Sequence, residues 1–292
     1  MNSDMDVNSI FYWWPLVKDL GIPMPKTTLI PYDGDLFLDS HSDSPPEFTE
    51  LVAQVKAACE EYGYPAFIRC GGLSAKHEWK NTCYLEGPSD IPGHIFNLME
   101  AVLMVMGMRL DFDGIAVREF LHLENRFKAF GGEMPIAKEF RFFARNGEYE
   151  CHHPYWPPSS IWKPSIDGWY EALKGMQTLT DEELGLLKGY SSKLAIKLDE
   201  GELGTGWWSL DFCKTVDGVW YLTDLAVGEN SYHWSTCPHS PEDMSQYPDP
   251  EDPEKIGEAL GPTARAERMR KIRERLDPHR IPEMGEDPEI EF

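Results

Sequence analysis

Two segments constrain this chain more than any others. In KEFRFFARNGEYECHH (Lys138–His153), Phe140, Phe142 and Ala144 alternate with Arg141, Phe143 and Arg145, and Asn146-Gly147 follows. Period-two alternation running into Asn-Gly is the pattern of a β-hairpin, because the tight turn needs two residues at positive φ. The segment WWSLDFCKTVDGVWYLTDLAV (Trp207–Val227) repeats the pattern around Asp217-Gly218. Antiparallel pairs interspersed with helices make the expected class α+β.

The remaining elements are read from spacing. Phe48, Leu51, Val52, Val55 and Ala58 recur at helical intervals after Pro45-Pro46, with Asp43 and Ser44 as cap-type residues. WWPLVKDL predicts a short helix, and further helices are expected over about Pro92–Met108 and Asp181–Leu198. AFIRC (Ala66–Cys70) and GIAVREFL (Gly114–Leu121) read as strands, and HLENRFKAFGGEMPIA (His122–Ala137) as a loop. From Pro238 the chain turns proline-rich and acidic, then TARAERMRKIRERL (Thr263–Leu276) predicts a charged helix with Met269, Ile272 and Leu276 on one face. The expected division is an N-terminal segment 1–65, lobes over 66–121 and 122–237, and a linker with a terminal helix over 238–292.

The 292 residues carry a formal net charge of −23, and 41% are hydrophobic, enough for a full core. Such a charge disfavours nucleic-acid backbones and anionic lipid as partners. Six scattered cysteines without a CxxC pair, and a polar start MNSDMDVNS without a signal peptide, fit a reducing cytoplasm. The most apolar run, IFNLMEAVLMVMGM, contains Glu100 and is too short to span a bilayer, so no membrane association is expected.

Against this acidity, cations placed on strands stand out. Arg69 ends one strand and Lys76 follows two glycines later in the loop. Glu139 and Arg141 share a strand face, two residues apart. Counted outward from a two-residue turn at Asp217-Gly218, Asp211 and Asp224 come out opposite each other, ~5 Å apart across the ladder. Opposed carboxylates are unfavourable unless a cation lies between them. Mg²⁺ takes one or two carboxylates plus phosphate oxygens. Three cations and two opposed acids therefore suit a Mg-nucleotide site; the alternative is that each is an ordinary salt-bridging residue. No GxxxxGK[ST], GxGxxG, HRD or DFG signature is present, which argues against a P-loop enzyme or a protein kinase. Cys151-His152-His153 and His233, Cys237 and His239 offer zinc-type ligands, but their spacing matches no standard finger, and hairpin-end or loop packing is the expected reading.

The order GIPMPKT, FIRCGGLSAK, VREFLHLE, KEFRFFARNGE and WSLDFCKTVDGVWYLTDLAVGEN resembles the ATP-grasp superfamily, over roughly Ile22–Asn230. The branch it looks most like holds phage ATP-grasp proteins and the eukaryotic chaperone that assembles translation initiation factor two. The resemblance implies two α+β subdomains with antiparallel sheets clasping ATP, a shortened N-terminal region, and cofactors ATP and Mg²⁺. Arg69 stands where the family usually has a strand lysine, and Lys76 matches its SAK lysine; both would contact phosphate. Val117–Leu121 would form the adenine hinge, with Arg118, Glu119, Phe120 and Leu121 against the nucleotide and Glu124 at the ribose. Glu139 and Arg141 of KEFR would border the nucleotide, with Arg141 on the transferred phosphate and, with Lys76, catalytic. Asp211 and Asp224 would hold the metal. The family's third metal ligand, an Asn, is replaced by Ala226, with Glu229 or Asn230 as substitutes. The implied function is a Mg-ATP-dependent ligase that activates a carboxylate as an acyl phosphate for attack by an amine or similar nucleophile on a small-molecule or peptide acceptor. The alternative is an ATP-binding assembly factor acting on a protein partner. The branch also suggests a phage or bacterial origin and a cytoplasmic location, the host cytoplasm if phage-encoded.

Overall fold

The computed structural model describes residues 6–34, 45–105, 112–131, 134–201 and 203–241. Asp43, Ser44, the end of the predicted Pro92–Met108 helix and the Thr263–Leu276 helix lie outside the described residues.

Two four-stranded antiparallel sheets organise the fold. The first runs β1 (Thr27–Pro31), β4 (Gly114–Glu119), β2 (Ala66–Arg69), β3 (Tyr84–Leu85) across its width. Helices α2 (Pro46–Tyr62) and α4 (Ile91–Val105) cover one face, and the short α3 (Trp79–Thr82) precedes β3. Alternation decides which side chains meet the helices. Ile30, Ala66, Ile68, Ile115 and Val117 join Phe48, Leu51, Val55, Ile95 and Leu98 in one core, while Phe67, Arg69 and Arg118 point to the other face. Val117, expected in the nucleotide hinge, is therefore a core residue.

The second sheet runs β10 (Trp220–Val227), β9 (Trp207–Lys214), β7 (Glu139–Arg145), β8 (Glu148–Pro154). Helix α1 (Ile10–Val17) and helix α6 (Asp181–Asp199) pack on its back, where Trp13, Leu194, Leu198, Phe140, Phe142, Trp208, Leu210 and Phe212 form the largest core. Helix α6 begins with a capping box: Thr180 Oγ1 accepts from the Glu183 amide and Glu183 accepts from the Thr180 amide. The first 65 residues are shared between the lobes, since β1 is an edge of the first sheet and α1 packs on the second.

Two turns show how local chemistry sets register. Asn146 and Gly147 have φ of 51° and 77°, and Arg145 pairs with Glu148 across them. The second hairpin departs from the expected count. Its loop has three residues, Val216–Gly218, closed by the Thr215 amide donating to the Val219 carbonyl, with Gly218 at φ 87°. That shifts the ladder by one, and a bulge between Leu222 and Asp224 shifts it back, so that Asp224 faces Asp211 after all.

The segment 122–137, expected as a loop, is instead a third, two-stranded sheet of β5 (Asn125–Ala129) and β6 (Met134–Ala137). Phe127, Ala129, Met134 and Ile136 are buried in it and pack with Trp156, Ile161 and Leu173, the last on α5 (Trp169–Lys174). Arg126 and Lys128 between them mask the alternation in sequence. Phe130 and Gly131, both at positive φ, follow β5 directly.

Candidate functional site

The two sheets face each other across a cleft of about 760 Å³, its open mouth included. One wall is apolar: Phe67, Trp79, Phe120, Leu121, Leu123, Met134 and Ala137 line it. Trp79 stacks on Tyr84 and meets Phe120 edge-on. The inner end is charged. Arg69, Lys76, Arg118, Glu119, Glu139 and Asp224 all line the cleft, and Arg141 and Asp211 adjoin it through Glu139 and Tyr155.

Each cation but one is matched to a carboxylate. Arg69, 3% exposed, donates Nη1 to Asp224 Oδ1 at 2.7 Å and its other nitrogens to the Cys70 and Gly71 carbonyls. Arg141 makes a two-pronged pair with Asp211, its cross-strand neighbour, at 2.8 Å on both arms. Lys76 Nζ lies 3.5 Å from Glu139 Oε1 and 4.0 Å over the Tyr155 ring. Arg141 lies over the same ring at 4.8 Å. The opposed acids Asp211 and Asp224 are thus offset by guanidinium groups.

The protonation states follow from burial against these pairings. Burial pushes the Lys76 ammonium down, but Glu139, Tyr155, Cys213 and Asp211 together outweigh it, and the group is held above the usual lysine range. Arg141 is likewise raised by Asp211 against burial. Burial raises Glu139, with Lys76 opposing. For Asp224, burial is overcome by Arg69, and the carboxyl sits below the usual range.

Arg118 is the exception. It is 3% exposed, and among the described residues no carboxylate lies within ion-pair distance. Its Nη1 donates to the Thr223 carbonyl at 2.6 Å and its Nε to Thr27 Oγ1 at 3.3 Å. Thr223 is the extra residue of the β10 bulge, which turns its carbonyl out of the ladder. Nη2 is buried with no hydrogen-bond partner. Burial, with Arg69 nearby, lowers this guanidinium to about 10. A desolvated cation with an unused donor is costly unless an anion or acceptor meets it.

Of the other predicted site residues, Glu124 pairs with Lys214 at 3.8 Å; its neighbour Leu123, rather than Glu124, is among the lining residues. Glu229 is exposed on the 3-10 turn Gly228–Asn230, and of Asn230 only the backbone is described. Ala226 faces Ser209 across the ladder. Tyr155 escaped the sequence reading; it lies one residue past β8, and only the tertiary structure sets it between two cations.

The family is decided by a comparison. A family model described as an ATP-grasp domain, R-two-K clade family 3, matches residues 34–239. The chain belongs to this ATP-grasp family. Its fold is ATP-grasp, α+β, with the two antiparallel sheets described above. None of the curated proteins matches the chain. Among solved structures it is similar to N5-carboxyaminoimidazole ribonucleotide synthetase from Thermotoga maritima (12% identity, 78% of this chain and 44% of that one, TM-score 0.42). It is also similar to D-alanyl-alanine synthetase A from Vibrio cholerae O1 biovar eltor (13%, 87% and 63%, TM-score 0.44) and to C-terminally truncated Cdc123 from Schizosaccharomyces pombe (12%, 75% and 83%, TM-score 0.48). The chain spans less than half the length of the first of these. At such identities and TM-scores these likenesses carry no argument about activity. Among the described residues, no helix is long and apolar enough to cross a membrane.

Proposed function

We propose that the cleft binds Mg-ATP and that the protein is an ATP-dependent ligase activating a carboxylate. Arg118 carries the reading: a buried guanidinium, unmatched by any described carboxylate, holds an unused Nη2 donor in a cleft with an aromatic wall. An adenine-type ring fits against Trp79, Phe120 and Leu121, and a polyphosphate answers the charge at the inner end. Arg69, Lys76, Arg118 and Arg141 would hold the phosphates, with Glu119, Phe120 and Leu121 along the base and Glu124 and Glu139 at the margins. Asp211 and Asp224 supply hard oxygen ligands of the kind Mg²⁺ prefers, with Glu229 and Asn230 near the end of the same strand. When bound, Mg-ATP supplies the phosphoryl group that activates the acceptor's carboxylate for displacement by a nucleophile.

This chain's part is positioning and charge compensation. The Arg69–Asp224 and Arg141–Asp211 pairs keep the site assembled and neutral, and the same guanidinium groups can turn toward phosphate oxygens as metal takes the carboxylates. Lys76, kept protonated by Glu139, and Arg141 would offset charge on the transferred group.

A second reading, an assembly factor that binds ATP and a protein partner without ligation, is favoured by Ala226. Facing Ser209, it offers no oxygen ligand where the family's third one is expected. The test is thermal unfolding with Mg-ATP, followed by ADP release with mixed carboxylate and amine acceptors. Nucleotide at a hundredfold excess over Kd stabilises by ~2.7 kcal/mol, or about 5 °C or more. Arg118→Met is expected to abolish the shift. No shift in the wild-type chain rejects both readings; a shift with a stoichiometric partner and no acceptor-dependent ADP selects the second.

A further inference from the structure

Away from the nucleotide cleft, on the same face of the second sheet, three soft ligands converge. Cys151 comes from β8, and His233 and Cys237 come from the segment after β10. His233 Nε2 lies 3.2 Å from Cys151 Sγ and 3.2 Å from Cys237 Sγ, and the three ligand atoms all fall within 4.8 Å of one another. We propose that Cys151, His233 and Cys237 form a binding site for a thiophilic divalent cation of the zinc class.

The geometry asks for more than hydrogen bonding. A ring nitrogen offers one proton or one lone pair, yet two sulfurs crowd the same Nε2. A tetrahedral zinc, with bonds of ~2.3 Å to sulfur and ~2.0 Å to nitrogen, holds such S and N atoms ~3.5 Å apart. The observed separations need an outward shift of about 0.3 Å, well within side-chain reach.

The ligands are also held in place. His233 is fully buried and stacks on Phe143 with ring centres 3.9 Å apart, which aims Nε2 at the sulfurs. Cys237 is fixed by a turn in which its amide donates to the Trp234 carbonyl at 3.0 Å. A bulge between Phe143 and Ala144 sets Glu150 beside Cys151. Glu150 Oε1 accepts from Arg145, and Oε2 is buried with no hydrogen-bond partner. Of the other candidates, His152 stacks on Phe142 on the core side, His153 Nδ1 lies 2.8 Å from the Pro154 carbonyl oxygen, and His239 Nδ1 lies 3.8 Å from Glu150 Oε1; among the described residues none of them joins the cluster.

Binding replaces the two S–H protons by two metal–thiolate bonds and adds the imidazole nitrogen; two protons leave, and the doubly charged ion with two thiolates is neutral. A fourth position remains for water or a carboxylate. The site would tie the 231–241 segment to β8, and with it Tyr232, whose carbonyl accepts from Arg141 Nη1 at 3.3 Å.

The test uses the full chain, purified reduced and without chelator from zinc-supplemented medium. Metal content is measured by plasma mass spectrometry, and Co²⁺ loading by absorption. One zinc per chain is expected, and Co²⁺ gives thiolate charge-transfer and four-coordinate visible bands. In Cys237→Ser, at a half-buried position, and Cys151→Ser, the metal falls to a trace and the cobalt bands are lost, while circular dichroism reports whether each variant folds. A reduced wild-type chain that takes up neither metal overturns the proposal without any variant. So does folded Cys237→Ser with undiminished metal.

Discussion

Arg69, the last residue of a strand in the first lobe, donates to Asp224, in the bulged strand of the second lobe, at 2.7 Å. This pair joins the walls of the cleft. Arg69 is almost wholly buried, whereas the Asp224 side chain is 38% exposed, so removing the acid strands a buried cation while removing the cation leaves an acid that water can reach. Asp224→Asn is therefore expected to cost more stability than an exposed pair would, about 2–3 kcal/mol. Arg69→Met should cost less, and a double-mutant cycle by urea unfolding checks the coupling.

Lys76 bears on folding and binding together. Its side chain is 24% exposed and opens the 3-10 turn Lys76–Glu78, while its partner Glu139 is 6% exposed. Lys76→Ala strands that buried carboxyl and should cost about 1–3 kcal/mol of stability, and it should remove most of the Mg-ATP-dependent rise in melting temperature measured from the variant's own ligand-free value. A retained rise would take Lys76 out of the phosphate site.

Glu183 ties the cap of α6 to the second sheet. It accepts from Lys214 at 2.7 Å and from the Thr180 amide. Burial raises its carboxyl, but Lys214, the Thr180 amide and Lys138 outweigh that and bring it down to about 2 from 4.5. Its folded pKa lies below the unfolded one, so its stabilisation is complete above about pH 4.5 and fades as pH falls toward 2. Glu183→Gln should lose about 2 kcal/mol at pH 7 and flatten the acid limb of the stability profile, measured by denaturant unfolding between pH 2 and 7.

Gly114 shows a backbone limit. Its φ is 138°, and an added Cβ would collide with the Ile30 carbonyl and the Phe11 ring. Gly114→Ala is expected to cost at least ~3 kcal/mol because β1 would have to leave its partner. A melting temperature within a few degrees of wild type would contradict this packing.

By itself the sequence determined helices α1, α2, α4 and α6, the two long hairpins, the charged strand positions and the resemblance to ATP-grasp, because helical and strand periods and turn residues act over a few neighbours. It could not determine that Val216–Gly218 forms a three-residue loop, since the correction is a bulge at Thr223 whose carbonyl answers Arg118 from the other lobe. It hid β5 and β6, whose cations Arg126 and Lys128 mask an alternation completed only by burial against Trp156. Only the tertiary structure set Tyr155 between Lys76 and Arg141, and brought Cys151 to His233 across 82 positions. Such meetings depend on how two sheets lie against each other, and that follows from the summed packing of both cores rather than from any local run of residues.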